Sequence, residues 1–233
     1  MGSTDSKDCL KNLVVMVYEL HEMCFQKLKE CYKEEIILPI DIKKVAEHLG
    51  VKIEYDSLNI GSFRRVDRNI AQLTYEKVDD KVGYKILVDQ SENGSGRLSN
   101  LEKYAVAYEL GKIIVNKEDT LKVEEIKRLN MRSNPYSLPR LSAQLENFTY
   151  EMCAMFLLLP MDLFLHEFKD YLDKNDHPVV MDDWIKHLSK ITEIPNYQLV
   201  NGYQYIKFCA YQYYMENLAE DEIKGTDYRD LFN

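Results

Sequence analysis

The stretch YAVAYELGKIIV, residues 104–115, limits the fold more than any other part of the chain. It is apolar at helical spacing and carries one carboxylate, Glu109, at its centre. A helix this apolar belongs in a core, and a buried carboxylate needs a partner there. Residues 142–159 form a second strongly apolar helix, which stops at Pro160. The connection between them, 117–141, is charged and broken by prolines. Its length is unusual between core elements and reads as an insertion or a mobile segment.

The flanks supply the other elements. Residues 5–34 place Leu10, Leu13, Val14, Val17, Leu20, Cys24, Leu28 and Cys31 at three- and four-residue steps, which predicts one long helix. In LPIDIKKVAEHLG, Asp41 is the expected N-cap and Gly50 the residue just past the helix end. VKIEY, residues 51–55, alternates as a strand. Runs 69–76 and 83–89 predict a β-hairpin whose turn holds Asp79, Asp80 and Gly83. A Gly- and Ser-rich loop follows, and Ser99 or Asn100 caps the helix carrying the opening stretch. Residues 161–173 predict another helix. Two or three tyrosine-rich helices follow from Met181 to about Ala219, and then a weakly ordered end.

Composition narrows the function. The 233 residues are 45% hydrophobic, enough for one large core or two small ones. A net charge of -9 argues against direct nucleic-acid binding, which needs a basic face. Arg64, Arg65 and Arg68 lie close together and leave room for a local basic patch. Five cysteines, with no CxxC pair, fit free thiols in a reducing cytoplasm. No secretory leader is visible, and the longest near-apolar run is too short to span a bilayer.

The opening helix has metallopeptidase spacing. Residues i and i+4 share a helix face, and zinc peptidases place histidines at both, with a glutamate after the first as general base. Here Tyr108 and Lys112 hold the ligand positions and Glu109 the base position. A phenol is a rare zinc ligand, and a protonated lysine has no lone pair and repels a dication. Glu109 and Lys112 can instead form an i, i+3 ion pair. An ordinary amphipathic helix with Tyr108 in the core is the plainer reading of this segment alone. HEMC, residues 21–24, begins in a similar way, but Phe25 stands where a second histidine belongs. His21, Cys24 and Cys31 share a helix face, read as a core stripe rather than a metal site. In the tail, Tyr203, Ile206, Ala210, Tyr213 and Tyr214 form a stripe suited to packing on the body or to a partner. The break at Ile194-Pro195 has helix–turn–helix rhythm, but the second helix lacks the basic residues of a DNA reader.

LPIDIKKVAEHLGVKIEY, then the hairpin ending YKILVD, then LEKYAVAYELGKIIV, then YEMCAMFLLLP, resembles the ImmA/IrrE family of zinc metallopeptidase-like proteins in order and spacing, over roughly residues 36–210. Ala107, Glu109, Leu110 and Gly111 match the family's zinc-helix words, and Leu157, Leu158 and Pro160 those of a later helix. Matched in this way, the two histidine ligands fall on Tyr108 and Lys112, and the third ligand, a glutamate, on Thr149. The resemblance implies an α+β fold, a zincin-like core with a small antiparallel sheet packed against several helices. Three regions are expected: an N-terminal helix (1–35), a degenerate metallopeptidase-type domain (36–175) and a C-terminal helical extension (176–233). It also implies a bacterial or mobile-element origin and a cytoplasmic, catalytically inactive pseudoenzyme without metal or other cofactor. Such a protein would act by binding a protein, either a helix–turn–helix repressor or a second copy of itself. The alternative is an active zinc-dependent peptidase with a non-standard site, Glu109 joined by a distant histidine such as His166, that cleaves a repressor. A third possibility is an oligomerisation module.

Overall fold

A computed structural model describes residues 4–56, 70–78, 81–89, 98–117, 138–175 and 179–213. Its first element is the expected long helix, α1 (Thr4–Cys31), which ends three residues before the predicted limit. Met16, Val17, Leu20, Cys24 and Leu28 bury one stripe of it. α2 (Ile42–His48) begins as its sequence dictates: the Asp41 carboxylate accepts the N–H groups of Lys43 and Lys44 at 3.1 and 3.4 Å. Gly50, at φ +73°, takes the left-handed conformation that lets the chain leave α2 and enter a strand at once.

Strands β1 (Val51–Asp56), β2 (Ala71–Val78) and β3 (Lys81–Asp89) make one sheet in the order β1-β3-β2. β2 and β3 form the expected hairpin, antiparallel from Ala71↔Val88 to Val78↔Lys81. Gly83 is not a turn residue: the ladder runs past it, and it pairs with Glu76. The sheet as a whole is mixed rather than antiparallel, because β1 lies parallel to β3, from Val51↔Tyr84 to Asp56↔Asp89. Alternation identifies a strand but carries no direction, since the side-chain period is two in both pairings.

α3 (Asn100–Lys117) is the apolar helix of the opening stretch. Ser99 and Glu102 start it as a capping box: the Ser99 N–H donates to Glu102 Oε2 at 2.5 Å and the Glu102 N–H to Ser99 Oγ at 3.3 Å. α4 (Leu138–Leu158) starts four residues earlier than predicted, with Pro139 in its first turn, where a missing N–H costs nothing. α5 (Met161–Lys174) follows after Pro160 with a bend of 59°. α6 (Met181–Thr192) and α7 (Asn196–Tyr213) complete the chain as described. Arg64, Arg65, Arg68, His177, Tyr214, residues 118–137 and the last twenty residues lie outside the described residues.

One hydrophobic core joins α1, the sheet and the later helices. Inside it α3 and α4 approach closely at Gly111. A Cβ on Gly111 would stand 2.8 Å from the Cys153 Cβ and 3.2 Å from the Tyr150 carbonyl oxygen, so the two helices meet where α3 has no side chain. This contact holds the motif face of α3 in place. No single helix among the described residues is long and apolar enough to cross a membrane.

Candidate functional site

Glu109 is only 2% exposed, in the middle of α3, and its surroundings account for both carboxylate oxygens. Lys112, one turn on, donates to Oε1 at 2.6 Å and to Oε2 at 2.8 Å. The Leu73 N–H of β2 donates to Oε2 at 3.0 Å. Leu73 sits opposite Ile86 in the hairpin. The Asp89 N–H bonds the Ile70 carbonyl, which makes Leu73 one of the β2 residues whose N–H points away from β3. Glu109 therefore closes the outer edge of the sheet at this point. Burial pushes its carboxyl above the usual range, and the Lys112 ammonium and the Leu73 amide pull the other way.

Tyr108 and Lys112 flank that carboxylate, as i, i+4 spacing requires. The Tyr108 hydroxyl donates to Asn147 Oδ1 of α4 at 2.9 Å, and its ring meets that of Tyr150 edge-on at 5.8 Å. The Lys112 ammonium lies 5.0 Å from the Tyr108 ring centroid. Lys112 keeps 30% of its side chain exposed, so a cation marks the outer end of the site. The structure thus brings Tyr108, Glu109 and Lys112 together.

Thr149 does not join them chemically. It is buried on α4, and its hydroxyl donates back to the Leu145 carbonyl at 2.8 Å. The three residues at the expected ligand positions do not fit zinc: an ammonium is already paired with the carboxylate, a phenol is donating to an amide oxygen, and a hydroxyl is spent within its own helix. His166, the proposed distant ligand, is exposed on α5 and is not among the groups acting on Glu109. Among the described residues no three His, Cys, Asp or Glu side chains are placed to share a metal ion.

HEMC resolves differently. His21 is fully buried, stacked on Phe25 and edge-on to Phe156. Its Nε2 accepts the Met161 N–H at 3.3 Å, and Glu22 lies 3.1 Å from Nδ1. Met161 opens α5 behind Pro160, which offers no side-chain cap, so a histidine of α1 supplies the acceptor from across the core. Cys24 and Cys153 are fully buried, and burial, with each thiol beside the other, pushes Cys24 upward. In the tail, Tyr203, Ile206 and Ala210 pack into the core, and burial pushes Tyr203 up to about 12.

Asn147 and the Leu73 amide are the partners that sequence reading missed. They sit 39 and 36 positions from the residues they bond, and neither has a local signature. Compared with known proteins, the chain matches no family model, no curated protein and no solved structure at a significant level.

Proposed function

We propose that this chain is a non-catalytic counterpart of the ImmA/IrrE metallopeptidase-like proteins, working in the cytoplasm by binding a protein partner rather than by hydrolysis. The observation that carries this reading is the engagement of Glu109. A general base needs a lone pair facing the water it activates. Here Lys112 and the Leu73 amide take three of the carboxylate's roughly four lone-pair sites, and at 2% exposure the side chain turns away from bulk water. What the site offers outward is the partly exposed Lys112 side chain, whose ammonium is suited to an acidic or carbonyl-bearing segment of a partner. The resemblance points to a helix–turn–helix repressor as that partner.

The test combines metal content and binding. Protein purified without added zinc and measured by elemental analysis is expected to hold far less than one zinc per chain. A helix–turn–helix repressor encoded beside it is expected to co-elute with it uncleaved, and Lys112→Glu is expected to weaken the complex. About one tightly held zinc per chain, with repressor cleavage lost on Glu109→Gln, overturns the reading.

A further inference from the structure

The two edges of the sheet are treated differently. At β2, Glu109 takes the outward N–H of Leu73. At β1 no described strand pairs on the outer side, since the order β1-β3-β2 leaves Val51–Asp56 at the other edge of the sheet. Every second residue of such a strand turns both its N–H and its C=O outward, and proteins seldom leave an edge strand of this kind unguarded. A groove of about 550 Å³ runs beside the strand, between it and Lys43 and Glu47 of α2.

The side chains on β1 say what fits there. Val51, Ile53 and Tyr55 turn toward the helices, whereas Lys52, Glu54 and Asp56 are exposed on the other face. Lys52 lies opposite Lys85 of β3, a like-charge pairing across the ladder. Lys85 satisfies itself diagonally on Glu54 at 3.0 Å. Lys52 has no ion partner among the described residues.

We infer that a second copy of this chain docks here, its β1 antiparallel to the first across a twofold axis at Ile53, to make one continuous six-stranded sheet. Keeping both core faces on the same side restricts the axis to pass through a residue. Centred on Ile53, each Lys52 stands opposite the partner's Glu54, twice over. Ile53 meets its own copy, and Val51 meets Tyr55. Centred on Glu54, Lys52 faces the partner's Asp56 but two glutamates collide at the axis; centred on Lys52, two lysines collide there. Of the three, only the Ile53 register pairs unlike charges with no like-charge pair, and it sets a carboxylate opposite Lys52. This surface lies apart from the Glu109 site and deepens the self-association expected from the sequence. Its test reads mass, so its failure is distinct from failure of the repressor-binding reading.

The experiment is sedimentation equilibrium on the full chain. Wild type is expected to show a concentration-dependent monomer–dimer equilibrium. Lys52→Glu and Glu54→Lys, each placing two like-charge pairs at the seam, are each expected to raise the dissociation constant about tenfold or more. Mixed in equal amounts, the two variants place Glu opposite Lys at both positions, so a heterodimer is expected to form although neither variant dimerises well alone. Circular dichroism checks that each variant is folded, and amide exchange of Val51–Asp56 in wild type is expected to slow as concentration rises. A wild type that stays monomeric at every concentration, single variants that dimerise as well as wild type, or a mixture that stays monomeric overturns the proposal.

Discussion

Two segments of this chain share part of a metallopeptidase motif's spacing, and in each a side chain accepts a backbone N–H from another element. Glu109 in α3 accepts the Leu73 amide of β2, and His21 in α1 accepts the Met161 amide of α5. The difference is charge. Glu109 brings an anion into the core and carries its own cation one turn away, with part of Lys112 still in water. His21 accepts through a ring nitrogen among aromatic rings and needs only the tautomer that leaves Nε2 bare, to which Glu22 contributes from the Nδ1 side. A buried acceptor can thus be made tolerable by compensating charge or by avoiding it. The two solutions should fail in different ways.

The largest effect is expected at the uncharged site. His21→Ala removes a fully buried ring and orphans the first N–H of α5, a cavity and an unpaired amide together. A loss of about 3 kcal/mol in urea unfolding is expected, with no dependence on salt. His21→Gln, which retains an acceptor oxygen, should recover about 1 kcal/mol of it. Equal losses for the two variants would mean that packing alone sets the site. Next comes Gly111→Ala, which tests the helix contact beneath Glu109. The added Cβ meets the Cys153 Cβ and a backbone oxygen, neither of which can swing aside, so about 2 kcal/mol is expected.

Charge removal should show itself through pH. Lys112→Met leaves the Glu109 carboxylate buried without its cation, with an expected loss of about 2 kcal/mol at pH 7; the figure is below that of a fully buried pair because Lys112 is partly solvated. The sign follows from the raised carboxyl. A folded-state value above the unfolded one favours the protonated fold, so this contribution is fully present below the ordinary carboxylate range, about pH 4, and is lost as pH rises through the folded value. Without the lysine the folded value climbs further. The variant's deficit relative to wild type should therefore shrink as pH falls toward about 4. A deficit that is constant with pH would show that Lys112 acts by packing.

Much of this fold was legible because it is local. Asp41 before α2, Gly50 after it, the Ser99–Glu102 pair and Pro160 each act within a few residues, and each stands where its chemistry demands. The direction of β1 was not legible, since an alternating strand pairs either way. At the site, the i, i+3 and i, i+4 relations among Tyr108, Glu109 and Lys112 follow from helical spacing. Asn147 and the Leu73 amide are supplied by tertiary packing, and a backbone N–H has no letter of its own in the sequence. HEMC could be read as a core stripe, but the N–H that His21 accepts belongs to a residue 140 positions away.

The smallest expected effect discriminates best between an edge cap and a catalytic base. Glu109→Gln keeps an amide oxygen for the Leu73 N–H and loses the charge. Lys112 then loses its ion partner but can turn to water, so the net cost should be about 1 kcal/mol or less at pH 7. Since the variant has no carboxyl to protonate, its stability should vary less with pH than wild type near the acid range. Combined with Lys112→Met it should recover most of the loss of Lys112→Met alone, because a neutral side chain needs no cation. The Leu73 amide should retain its protection from hydrogen exchange in Glu109→Gln and lose it in Glu109→Ala. Loss of protection in both would require the negative charge itself to hold the strand edge, and the likeness between Glu109 and His21 as simple acceptors would fail.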